Sequence, residues 1–172
     1  SRWREVMPKV YVSIGTNIGD RLANLQTAIT HLKDHYSILA ISKVYETQPV
    51  GEVVQDDFYN LVVALRLPKT VTPADFLIQT QAIEKAMKRV KTVHWGPRTI
   101  DLDILLFDDV ELVTDTLKIP HPEMANRLFV LQPLLEVAQV IDDQQVINTT
   151  TQLLAETRDQ NWVRAIQPSI NY

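Results

Sequence analysis

Residues 100–106 alternate: Ile100, Leu102, Ile104 and Leu106 are aliphatic, and Asp101 and Asp103 fall between the first three. A period of two is that of a β-strand, whose successive side chains leave opposite faces. One face is therefore apolar and the other carries two carboxylates. Ile100, Leu102 and Ile104 are expected to face the core, which fixes where both acids point, because a one-residue slip would bury them. Strands disfavour aspartate, so two on one face need a compensating cation. With α-carbons about 6.5–7 Å apart, such a pair can share one Mg²⁺ or hold two, an oxygen-seeking ion that keeps room for phosphate oxygens. The plainer alternative is an Asp-x-Asp facing solvent.

The rest of the chain supplies partners for this strand. Val10, Val12 and Ile14 alternate in the same way, and Gly15 to Gly19 turn the chain. Leu22, Leu25, Ile29, Leu32 and Tyr36 then recur every three or four residues, an amphipathic helix with Asp20 placed to cap it. Ile38 to Tyr45 and Leu61 to Leu67 are β-rich, with a polar loop, Glu46 to Asp57, between them. Thr72-Pro73 opens a second helix, since proline in the first turn loses no hydrogen bond, with Phe76, Leu77, Thr80, Ile83 and Met87 on its inner face. A basic loop, Lys88 to Pro97, leads into the Asp-bearing strand. This order predicts an α+β fold with a ferredoxin-like βαββαβ core, an antiparallel sheet with helices packed on it. Leu117 to Tyr172 is expected to add a short strand and two or three helices, one near Thr150 to Arg158, for a three-layer α/β/α arrangement overall.

Charge sharpens the position of the acids. From Glu84 to Arg98 there are five cations and one acid; from Thr99 to Asp115 there are six acids and no cation. A basic arm running into an acidic strand suits phosphates and divalent cations together, although a solvated helix end followed by an acidic turn would look the same. The net charge of −4 argues against a nucleic-acid binder. No apolar run approaches the roughly 18 residues of a membrane span. With no cysteine, disulfides and thiolate metal sites are excluded. Residues 1–172 are read as one domain, with Met7 as the natural start and Ser1 to Val6 as additions, and the expected compartment is the cytoplasm. A monomer or weak dimer is expected, bound to neither nucleic acid nor membrane.

Only four glycines are present, and no Gly-x-x-x-x-Gly-Lys-Ser/Thr segment, so a Walker-type phosphate loop is ruled out. A nucleotide would have to be gripped by side chains, for which Arg89, Lys91, Arg98, His121 and Arg127 are the candidates, arginine having bidentate geometry. Each could equally be a surface ion pair. His121, between Pro120 and Pro122, is either structural or a donor to phosphate. Trp95 either anchors its loop or walls a ligand. Phe58 and Phe129 could be core residues or stack on a ring, and Gln81 and Glu84, three apart on one helical face, could bind ligand or line solvent. Without a Gly-x-Ser-x-Gly or a histidine cluster, hydrolase and zinc chemistries lack support.

Four blocks in combination are more specific. The run His94 to Leu106, the run Pro120-His121-Pro122-Glu123-Met124 with Asn126-Arg127 and Phe129 to Leu131, and the amino-terminal blocks Gly15 to Asp20 and Tyr45 to Gly51 resemble, in order and spacing, the signature of the 6-hydroxymethyl-7,8-dihydropterin pyrophosphokinase family. The resemblance runs from about Val10 to Ala138. It implies a ferredoxin-like core and diphosphate transfer from ATP to the pterin, leaving AMP. It implies that Asp101 and Asp103 hold two Mg²⁺ ions, and that Arg89 and Arg98 join them in catalysis. Gln81, Glu84, Lys91, Trp95, Arg98, Ile104, His121 and Arg127 would meet or cover ATP. Thr47, Pro49, Val50, Phe58, Asn60 and Phe129 would surround the pterin, Phe129 stacking on its ring and Asn60 reading its hydrogen-bonding edge. Lys91 where arginine is common, His94 for a basic residue, Gln48 for a small residue or proline, and Thr16 for serine depart from the pattern. Two other classes remain open: another Asp-x-Asp metal-dependent nucleotide-diphosphate transferase, such as a nucleotide-sugar enzyme, and a non-catalytic ferredoxin-like ligand-binding module.

Overall fold

The computed structural model describes residues 7–48, 57–89 and 100–172, with the Arg89 side chain left out. Strand β1 (Lys9–Thr16) is followed by helix α1 (Arg21–His35), β2 (Ser37–Ile41), β3 (Tyr45–Thr47), β4 (Phe58–Arg66) and α2 (Pro73–Arg89). Next come β5 (Asp101–Phe107), a hairpin of β6 (Leu112–Val113) and β7 (Lys118–Ile119), a 3₁₀ turn (Met124–Asn126), α3 (Leu128–Val140), α4 (Gln144–Glu156) and β8 (Val163–Ala165). The main sheet runs β5-β1-β4-β3-β8, with β2 also paired to β4. All its pairings are antiparallel. This is the ferredoxin-like order, with α1 and α2 on one face and α3 and α4 on the other.

Alternation within each strand divides the core in two. Val10, Val12 and Ile14 of β1 and Leu61, Val63 and Leu65 of β4 pack with Leu25, Ile29 and Leu32 of α1 and Phe76, Ile83 and Met87 of α2. Tyr11, Val62 and Ala64 leave the other face and pack with Val130, Leu134 and Val137 of α3. Asp20 accepts from the Ala23 amide and so caps α1 as expected. Thr72 and Asp75 cap α2 reciprocally: the Thr72 hydroxyl accepts from the Asp75 amide, and the Asp75 carboxylate from the Thr72 amide.

Several boundaries differ from the sequence expectation. The β-rich stretch 38–45 is two strands, because Ser42 turns its side chain into the β4 ladder, its hydroxyl accepting from the Val62 amide. Glu46 and Thr47 belong to β3 and not to the loop after it. Tyr36 lies just past α1 in extended backbone, yet still packs edge-on against Phe76 with ring centroids 5.4 Å apart. In β5 the alternation breaks: the register shifts opposite Tyr11 and Val12, leaving Leu105 unmatched, so Leu105 and Leu106 turn to the α3 face and Phe107 to the α1–α2 face. The last helix starts six residues earlier than Thr150, at Gln144, and β8 was not anticipated.

Candidate active site

The strand register gathers the candidate residues on the α3 face, at one end of the sheet. Asp101 of β5 lies opposite Gly15 of β1, Gly15 opposite Asn60 of β4, and Asn60 opposite Tyr45 of β3. Four strands thus present one transverse row. Directly beside it lie the pairs Asp103–Ser13 and Phe58–Thr47. Because neighbouring strands stand about 4.8 Å apart, the two aspartates and Asn60 are separated by the width of β1. Asp101 and Asp103 are half-buried, while Leu102 and Ile104 between and beyond them are buried in the opposite core. The alternation read from the sequence is confirmed where it places the acids.

Asn60 is the most unusual polar group in the row. It is 3% exposed, and its Nδ2 has no hydrogen-bond partner among the described residues. A buried amide left unpaired costs roughly 1–3 kcal/mol, so an acceptor brought to this position would offset that cost. Thr47 is buried beside it on β3, and Phe58 is half-buried at the start of β4. Phe129, in the first turn of α3, is partly buried against the apolar cluster of Tyr11, Val62 and Val130 on the same face of the sheet, with the Arg127 guanidinium 5.8 Å from its ring centroid. The Tyr45 hydroxyl donates to Glu136 of α3 over 2.5 Å, and Glu136 also accepts from the Lys43 amide. Burial first, then that bond and the Glu136 charge, push the Tyr45 phenol above its ordinary range. It stays a donor at any physiological pH and ties the strand of Thr47 to the helix of Phe129.

At the other end of the row, β5 is an edge strand whose outward groups are taken up by neighbours. The Leu102 amide donates to Glu84 of α2, and the His121 amide donates to the Leu105 carbonyl. Glu84 is therefore a brace between helix and strand, while Gln81, one turn earlier, is exposed. His121 accepts at Nδ1 from the Glu123 amide over 3.1 Å, so its neutral ring carries the proton on Nε2. Its pKa is lowered, by burial first and by the Arg127 charge, against the opposing pull of Asp103 and Glu123. Asp103, Ile104 and His121 line a cleft of about 240 Å³ closed by the β6–β7 hairpin, with Thr114, Thr116 and Lys118 on its wall. Sequence reasoning missed these hairpin residues, which carry no pattern beyond an acidic turn. It also missed Tyr45 and Glu136, whose meeting depends on the packing of α3.

Pro49, Val50, Lys91, Trp95 and Arg98 lie outside the described residues, as does the Arg89 side chain. Among the described residues no group of three or more histidine and carboxylate side chains could hold a metal on its own. The arrangement offers two adjacent carboxylates at one end of the row and, across β1, a buried amide with no partner among the described residues. An N–H-donating histidine, an arginine and a phenylalanine lie near one another in sequence, around the 3₁₀ turn and the start of α3. Such a site can orient a polyanion against a flat, hydrogen-bonding ring.

Comparison with known proteins gives the family. Residues 11–139 match the family described as 7,8-dihydro-6-hydroxymethylpterin-pyrophosphokinase (HPPK). The 2-amino-4-hydroxy-6-hydroxymethyldihydropteridine pyrophosphokinase of Bacillus subtilis is 41% identical over 144 residues, covering 83% of this chain and 85% of the relative. Its namesake from Aquifex aeolicus is 39% identical over 131 residues, 76% of this chain and 81% of the relative. The bifunctional protein FolKE of Lactococcus lactis is 45% identical over 133 residues, but this chain spans only 38% of that relative's length. In fold, Plasmodium falciparum HPPK-DHPS, solved with pterin and p-hydroxybenzoate, superposes with a TM-score of 0.60 at 17% identity, over 92% of this chain and 46% of the other. The chain belongs to the 7,8-dihydro-6-hydroxymethylpterin-pyrophosphokinase family.

Proposed function

We infer that this chain transfers the diphosphate of ATP to 6-hydroxymethyl-7,8-dihydropterin, giving AMP and the pterin diphosphate ester, a step of folate biosynthesis. The observation that carries the reading is the row Asp101–Gly15–Asn60, which sets a carboxylate pair and an unpaired buried amide on one face, one strand apart. The pterin oxygen attacks the β-phosphorus, the bond from that phosphorus to the α,β-bridging oxygen breaks, and AMP leaves with the bridging oxygen. The hydroxyl proton goes to Asp103 or to solvent.

The chain's part is positioning and charge neutralisation, which dominate phosphoryl transfers. Asn60 donates to the pterin edge, Thr47 and Phe58 flank it, and Phe129 covers its ring. His121 Nε2–H and Arg127 donate to ATP oxygens, with Ile104 against the nucleotide. Asp101 and Asp103 fit two Mg²⁺ ions by donor chemistry, hard oxygens with the remaining positions left to phosphate. Ions held by these two carboxylates would supply charge neutralisation for the phosphates. Gln81, Arg89, Lys91, Trp95 and Arg98 are assigned to the ATP side, Pro49 and Val50 to the pterin side, and Glu84 to bracing the strand that bears the acids. The same reading takes residues 1–172 as one domain working in the cytoplasm, a monomer or weak dimer acting on small molecules alone.

AMP release from ATP, measured with and without the pterin and with and without Mg²⁺, tests the reading. AMP formed mole for mole with pterin diphosphate, only with metal present, is expected. Folded protein that releases no AMP would overturn it.

A further inference from the structure

The carboxy-terminal segment Thr157–Ala165 lies beyond the residues that match the family, yet it touches both elements assigned to the pterin. At one end Asp159 accepts from the Leu128 amide over 2.8 Å. This satisfies an N–H at the very start of α3, one residue before Phe129. Asp159 is itself held: its amide donates to the Thr157 hydroxyl, and its other carboxylate oxygen accepts from the amide and side chain of Asn161. At the other end β8 pairs with β3, Val163 opposite Thr47 and Arg164 opposite Glu46. The Thr47 hydroxyl donates to the Trp162 carbonyl over 3.2 Å, and the Trp162 indole donates to the Gln48 side chain over 3.2 Å. Arg164 donates twice to Glu46, over 2.9 and 2.6 Å, and its guanidinium sits 5.1 Å from the Trp162 ring centroid.

A nine-residue stretch with so many directional contacts is more than a solvated tail. Trp162 is 41% exposed, so burying the indole is not its main contribution. What the segment's contacts share is their targets: Glu46 and Thr47 on β3, Gln48 just after it, and the first turn of α3 through Asp159. We propose that this segment is a positioning strap for the pterin pocket, with Asp159 fixing the helix start that presents Phe129 and Trp162–Arg164 fixing the strand that presents Thr47. Among the described residues, none of the contacts just named involves Asp101, Asp103 or His121. The β8 end of the strap therefore acts on the pterin side alone, whereas the Leu128 amide held by Asp159 adjoins both Phe129 and Arg127. This inference rests on the pterin assignment made above.

Steady-state kinetics of Asp159→Ala and Trp162→Ala, with each substrate varied in turn, separate positioning from stability. Losing one or two hydrogen bonds corresponds to about three- to tenfold in affinity. For Trp162→Ala the KM for the pterin is expected to rise by about that factor, with the KM for ATP and kcat within about twofold. For Asp159→Ala the pterin KM is expected to rise more than the KM for ATP. Asp159→Asn keeps an acceptor for the Leu128 amide and is expected to restore most of the pterin KM. A merely structural role would lower the melting temperature and the active fraction without moving the pterin KM. That result, or equal shifts in both KM values, would overturn the strap while leaving the reaction intact. Wild-type protein that makes no AMP would instead bring down the reaction and the strap together.

Discussion

The Asn60 side chain lies directly across Gly15: a β-carbon on Gly15 would stand 2.5 Å from Asn60 Oδ1. The two residues are paired across β1 and β4, so the bare backbone of one makes the space for the amide of the other. Gly15→Ala must therefore push the amide out of its place without touching the core behind it. The expected result is a pterin KM raised about tenfold or more, with the melting temperature within a few degrees of wild type. Asn60→Ala should give a similar loss. The double variant should be no worse than either single one, since both remove the same interaction.

Asp101 and Asp103 are half-buried, on the face of β5 opposite Leu102 and Ile104, which join the α1–α2 core. Asp101→Asn or Asp103→Asn should cut turnover by at least about a hundredfold while leaving the melting curve nearly unchanged. Ile104→Ala, one residue on but buried in the core, should do the reverse in emphasis, costing about 2–5 kcal/mol of stability. Near-normal turnover in either aspartate variant would remove the metal assignment.

Far from the site, Asp143 caps α4 and receives the Tyr11 hydroxyl over 2.6 Å and the Lys9 ammonium over 2.7 Å. Burial raises its pKa, but the hydrogen bonds from Lys9 and Tyr11, the Lys9 charge and the Val146 amide outweigh that and hold it below the ordinary carboxylate value. A lowered folded pKa contributes stability that is complete above the unfolded value near 4 and lost as pH falls through the folded one. Melting temperatures measured from about pH 6 down to about pH 2 should therefore fall. Replacing Tyr11 by Phe should lower stability by about 1 kcal/mol at neutral pH and make that acid decline shallower.

The bond from Tyr45 to Glu136 joins β3 to α3. Among the described residues Tyr45→Phe leaves Glu136 the Lys43 amide, and it should cost about 1.5–3 kcal/mol, the range for a hydrogen bond to a charged group. Chemical denaturation checks this. A change below a few tenths of a kcal/mol would show that solvent replaces the phenol there.

His121 is held by backbone contacts at its own amide and at Nδ1, which leaves Nε2–H directed by the ring alone. His121→Ala should raise the KM for ATP, or lower kcat, with the pterin KM unchanged. A shift confined to the pterin KM would place His121 in the wrong half of the site.

Periodicity in the sequence was enough to determine the βαββαβ order and the faces of β1 and of β5 up to Ile104, because a strand with one aliphatic face has a single register that buries it, whereas β4, apolar on both faces, had none to read. The same rule sent Asp101 and Asp103 to the opposite face before any neighbour was known, and the spacing of four motif blocks named the family. Tertiary structure alone decided the rest. The break at Leu105 arises from a register shift against β1, which no local pattern encodes. The row from Asp101 to Tyr45 depends on which strands become neighbours, and strands 40 or more residues apart in sequence are aligned only by their ladders. The clash that reserves Gly15 for Asn60, the pull of Tyr45 on Glu136 and the reach of Asp159 to Leu128 are contacts between elements. Their energies exist only once both elements are packed, so single residues such as Trp162 and Glu136 looked ordinary in the sequence and acquired their roles from position.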